Sequence, residues 1–108
     1  MANKIGYETR KGLYMDYIAQ YGCKAQAAVA IEEMSELTKE LCKNLFRGAE
    51  NHKALIEEIA DVTIMLEQLR LIYEANDEVC EQMDRKIERM YERLYRTAPR
   101  YVASEGAR

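Results

Sequence analysis

Almost nothing in this chain interrupts a helix. Its only proline is Pro99, and no glycine occurs between Gly48 and Gly106. Proline removes an amide donor and glycine gives up the most conformational freedom on ordering, so residues 49 to 98 contain no strong helix breaker. The breakers that do occur divide the chain into four helical segments. The first is expected over residues 8 to 21, stopped by Gly22, and the second over 24 to 47, closed by Arg47 and Gly48. Asn51 is placed to cap a third helix that runs to about Glu74. Asn76, Asp77 and Glu78 make a capped, acidic first turn for a fourth helix that ends near Arg96. The expected fold is all-α, a four-helix antiparallel bundle in a single domain over residues 1 to 98. The tail from Pro99 to Arg108 is too short to fold alone and is expected to fray.

Apolar periodicity supports this division. Tyr14, Tyr17, Ile18 and Tyr21 fall on one stripe of the first segment, and Val29, Ala30, Met34, Leu37 and Leu41 on one stripe of the second. The third is apolar round much of its girth, with Leu55, Ile59, Val62, Leu66 and Leu69 on one side and Ile56, Ile64, Met65 and Ile72 elsewhere, so it is expected to be central. The fourth carries Val79, Met83, Ile87, Met90 and Leu94. At 108 residues, 48% hydrophobic and 32% charged, the chain suffices for one core and is too short for two. It has neither a signal-peptide pattern nor an apolar stretch of membrane-spanning length, so a cytoplasmic protein without membrane association is expected. Cys23, Cys42 and Cys80 are odd in number and lack CxxC spacing, which points to half-buried free thiols rather than disulfides or zinc. A net charge of −3 argues against binding along a nucleic-acid backbone.

Two acidic clusters stand out, because each is embedded in core-forming sequence. Glu32, Glu33 and Glu36 follow the run Ala27-Ala28-Val29-Ala30-Ile31, and Glu58 and Asp61 precede Val62-Thr63-Ile64-Met65-Leu66. A helix turns about 100° per residue, so Glu33 and Glu36 lie about 60° apart, as do Glu58 and Asp61. If the two helices pack together, four carboxylates converge. Without a cation such a cluster repels itself, whereas hard divalent ions such as Mg2+ or Mn2+ prefer oxygen ligands. The competing reading is a solvated face, since 19 of the 108 residues are acidic. The apolar flanks argue against it.

The acidic pattern, a Glu-Glu-x-x-Glu on one helix and, after 21 intervening residues, a Glu-x-x-Asp on the next, resembles that of the MazG-like all-α nucleoside triphosphate pyrophosphohydrolases. That superfamily also contains dimeric dUTPases and phosphoribosyl-ATP pyrophosphohydrolase. The resemblance covers about residues 13 to 96. It implies that Glu33, Glu36, Glu58 and Asp61 bind Mg2+, with Glu32 sharing a second ion or orienting water and serving as the general base. It also implies a bundle of the MazG and dimeric dUTPase type, completed by association into a homodimer or homotetramer. The segment Asp84-Arg85-Lys86-Ile87-Glu88-Arg89 is similar to a substrate-contacting Asn-x-Lys-apolar-x-Arg segment, which assigns Lys86 and Arg89 to the β- and γ-phosphates. Asp84 departs from that pattern.

The implied activity is hydrolysis of a nucleoside triphosphate to the monophosphate and pyrophosphate. Phosphoribosyl-ATP hydrolysis is the alternative within the fold. Outside it, the alternative is a non-catalytic helical interaction protein whose acids are solvated or pair with Lys39, Lys43, Lys53 and Arg70. A di-iron bundle would need Glu-x-x-His pairs on two helices, and the chain has one histidine, His52. The tyrosine stripe Tyr14, Tyr17 and Tyr21 suits an interface better than a nucleobase.

Overall fold

The computed structural model describes residues 3 to 96, so expectations for the tail beyond Pro99 lie outside the described residues. The described residues form four α-helices and no strand: α1 (Tyr7–Tyr21), α2 (Cys23–Arg47), α3 (His52–Ile72) and α4 (Asn76–Tyr95). The all-α expectation is borne out, with helix ends within one or two residues of those read from the breakers. None of these helices is long and apolar enough to cross a membrane.

The breakers act through backbone geometry. Gly22 alone joins α1 to α2, at φ 98° and ψ 151°, a conformation that residues with a Cβ rarely adopt. Gly48 closes α2 in the left-handed region, at φ 66°. Glu74 has φ 51° without being a glycine. Its N–H donates to the Leu71 carbonyl, and the N–H of Ala75 donates to that of Arg70, so α3 ends in a Schellman turn.

The chain divides after Ala75 into two compact units, the first holding α1 to α3 and the second α4. In the first unit α2 and α3 make the principal packing, and α1 lies against both. Residues 48 to 51 turn the chain between α2 and α3. The Asn51 side chain donates from Nδ2 to both the carbonyl oxygen (2.9 Å) and Oε1 (2.8 Å) of Glu40, and accepts from Asn44 Nδ2 at 3.2 Å. Asn51 therefore does not cap α3 with its side chain, contrary to the sequence expectation. It latches α3 to the end of α2 instead, because Glu40 is buried and its backbone and carboxylate both lie within reach.

The interior of this unit is thin. Tyr14, Ala30 and Met65 are its buried apolar side chains, accompanied by the polar Gln26, Glu40 and Gln68. Leu55, Val62 and Leu69 of α3 are half-buried, but Ile59 and Leu66 from the expected stripe are exposed, as are Ile56 and Ile64. Ile59 and Leu66 each follow by one residue an inward-facing neighbour, Glu58 or Met65, and so point about 100° away from it. All three cysteines are exposed rather than half-buried, because none falls on an inward row. In the second unit α4 presents no buried residue, although Met83, Ile87, Met90 and Leu94 form an apolar stripe along it.

Candidate metal centre

The α2–α3 hairpin brings the two acidic clusters together. Glu33 stands seven residues before Glu40, and Glu58 seven residues after Asn51. Two turns along each helix from the latch, in opposite directions, the antiparallel pair meets again at these glutamates. One carboxylate oxygen from each of Glu33, Glu58 and Asp61 lies within 4.8 Å of the others. Glu33 and Glu58 are half-buried.

Glu58 is the centre of the group. Its Oε1 is buried and, among the described residues, has no hydrogen-bond partner. Its carboxyl is pushed above the usual range, first by burial and then by the charges of Glu33 and Asp61, with Glu36 adding to the effect. Protonation is one way to relieve such a site, and a multivalent cation is another. The donor set suits a hard cation, because it consists entirely of carboxylate oxygens and has an orphaned acceptor at its centre.

The other expected site residues are placed differently. Glu36 is exposed and stands outside the three-carboxylate group, with its Oε1 3.9 Å from Lys39 Nζ, although its charge is felt at Glu58. Glu32 is exposed on α2, also outside the group. Lys86 and Arg89 belong to the second unit, where both are exposed and one turn apart on α4. Three of the cations named in the interaction-protein alternative form pairs within their own helix: Lys39 with Glu36, Lys43 with Glu40, and Lys53 with Glu57. Of the tyrosine stripe, Tyr14 is buried, while Tyr17 and Tyr21 are exposed with ring centroids 5.4 Å apart.

A second charged cluster joins α1 to α3, through residues that no local sequence pattern pairs. Arg10 grips Glu67 with two hydrogen bonds, Nε to Oε1 at 3.1 Å and Nη2 to Oε2 at 2.9 Å, and the Tyr14 hydroxyl donates to Oε1 at 2.5 Å. Chiefly through the Arg10 bonds, the Glu67 carboxyl is held below its usual range. The available signal was a lone acid set among Leu66, Gln68 and Leu69, but its partner lies 57 residues away.

Compared with protein-family models, with curated proteins and with solved structures, the chain matches none.

Proposed function

We propose that the chain is a divalent-metal-dependent nucleoside triphosphate pyrophosphohydrolase of the MazG-like kind. The observation that carries this reading is the convergence of Glu33, Glu58 and Asp61 around an unpartnered, buried Glu58 oxygen. In this reading Glu33, Glu58 and Asp61 hold Mg2+ or Mn2+, and Glu36 approaches from the adjacent turn. The metal, when bound, supplies charge neutralisation at phosphate oxygens and acidifies a coordinated water. The Asn51 latch between α2 and α3 holds the carboxylates at fixed separation, while the charge of the cation offsets the burial and mutual repulsion that disfavour their ionised form. Glu32, exposed beside the group, accepts the proton of the attacking water. Lys86 and Arg89 are the cations assigned to the β- and γ-phosphates. The proposed assembly is a homodimer or homotetramer.

The test is pyrophosphate release from a panel of canonical and modified nucleoside triphosphates and phosphoribosyl-ATP, with Mg2+ and with chelator. Release that requires the metal and is lost in Glu36→Gln and Asp61→Asn supports the reading and names the substrate. No release from any substrate, with no stabilisation by Mg2+ or Mn2+, leaves the non-catalytic interaction protein as the better account.

A further inference from the structure

The α2–α3 hairpin carries polar groups in layers two turns apart. Glu40 meets Asn51 at the latch, and two turns on Glu33 meets Glu58. Two turns further in the same direction, Gln26 stands seven residues before Glu33 and Gln68 seven residues after Asp61. Both glutamines are buried, at 7% and 5% exposure. The first layer is satisfied by its own hydrogen bonds, and the second is the candidate metal centre. The third is unexplained, because Gln68 Oε1 is buried and has no hydrogen-bond partner among the described residues. Burying a carboxamide acceptor unpaired costs free energy that an exposed position would not, so the group calls for a donor from outside the chain.

The apolar interior of this unit collects at the same end. Ala30 is one turn from Gln26 on α2, and Met65 is one turn from Gln68 on α3. α1 closes the layer from its third side. It leaves α2 at Gly22, four residues before Gln26, and reaches back to bind Glu67, the residue before Gln68, through Arg10 and the buried Tyr14. Arg10 offsets the charge of Glu67, so the layer combines two neutral carboxamides with an aromatic ring and a thioether.

We propose that the Gln26 and Gln68 layer is the subsite that reads the nucleobase, with Gln68 Oε1 accepting a hydrogen bond from a donor on the base edge. The proposal deepens the pyrophosphohydrolase reading and rests on it for the phosphates. A carboxamide offers an acceptor and donors side by side, and the edge of a base presents donors and acceptors side by side in return. Met65 and Tyr14 supply the apolar surface that a flat heterocycle needs. An anion does not suit the layer, since an orphaned acceptor repels it, and a metal cation has three carboxylates two turns away. A neutral N–H donor is the group that remains. The offset from the acids, about 11 Å along either helix, is a length that ribose and base together cover when the α-phosphate lies at the carboxylates. Because Oε1 is covered, entry requires α1 to lift, turning at Gly22 and releasing Glu67.

The test is calorimetric titration of the full chain with adenosine, guanosine, cytidine and uridine in chelator. Neither metal nor phosphate is present, so the outcome is independent of the catalytic reading. At least one nucleoside should bind saturably, and its analogue without the edge donor should bind at least tenfold more weakly. Those analogues are purine riboside, 1-methylguanosine, pyrimidin-2-one riboside and 3-methyluridine. In Gln68→Leu the nucleoside and its analogue should bind equally weakly, while the thermal midpoint without ligand stays at or above that of the wild type. A merely structural glutamine would lose stability instead. If no nucleoside saturates by about 10 mM, the layer holds no more than a buried water and the proposal is overturned. Wild-type affinity in Gln68→Leu overturns it too. Should that variant fail to fold, the unaltered chain still decides, because an analogue that binds as tightly as its parent removes the role of the acceptor. Pyrophosphate release without nucleoside binding strikes this proposal alone, whereas nucleoside binding without release leaves the subsite standing and the catalytic reading fallen.

Discussion

Glu58 and Glu67 are nine residues apart on α3, both half-buried, and their carboxyls are shifted in opposite directions. Nine residues turn a helix through about 180°, so Glu58 faces α2 and Glu67 faces α1. α1 meets Glu67 with the Arg10 guanidinium and the Tyr14 hydroxyl, whereas α2 meets Glu58 with another glutamate. One carboxylate is thus completed by the chain itself and contributes to the fold at neutral pH. The other is left with an acceptor that the described residues do not satisfy, and the proposed reading assigns that acceptor to a metal ion.

The sharpest way to break this contrast is to neutralise each acid in turn. Glu58→Gln should abolish metal-dependent pyrophosphate release, with a loss of about 100-fold or more, while raising the thermal midpoint in metal-free buffer. Glu67→Gln should leave the release requirement for metal intact and destabilise the fold by about 1–2 kcal/mol in chemical denaturation, from the lost charge-assisted hydrogen bonds. If Glu58→Gln destabilises the metal-free protein, the contrast fails.

Metal should act on one side only. A tenfold excess of Mg2+ or Mn2+ over its Kd should stabilise the wild type by about 1–2 kcal/mol and leave Glu58→Gln unmoved, as measured by thermal shift. The pH dependence separates the two acids by sign. The raised carboxyl of Glu58 binds its proton more tightly in the folded state, so without metal its contribution weakens stability as pH rises through the folded pKa. The difference between wild type and Glu58→Gln should therefore shrink on acidification. The depressed carboxyl of Glu67 works the other way: its stabilisation is present above the unfolded pKa and disappears as pH falls through the folded pKa. The smallest expected effect lies at the end of α3, where Glu74→Gly should stabilise by about 0.5–1 kcal/mol by relieving the left-handed backbone.

What was legible in the sequence follows from what is local. Helix ends at Gly22 and Gly48 depend on backbone preferences that act within a few residues. The meeting of Glu33, Glu58 and Asp61 was also legible, since helical spacing fixes which acids share a face once two helices pair. Asn51 departs from the capping role that its sequence position predicts because its amide serves a neighbouring helix instead of its own, a choice decided by the position of Glu40. The Arg10–Glu67 clasp was invisible because nothing local joins residues so far apart. The apolar girth of α3 predicts centrality, yet Ile59 and Leu66 are exposed. Periodicity shows that a face is apolar, but not whether the same chain covers it.

The latch at Asn51 works as a caliper. It fixes the offset between α2 and α3 two turns away from the acids, and a slip of one turn would carry Glu58 about 5 Å along the pair and out of line with Glu33. The chain thus sets the spacing of its carboxylates from a distance, using a neutral amide, and the acids themselves need no stiff scaffold of their own.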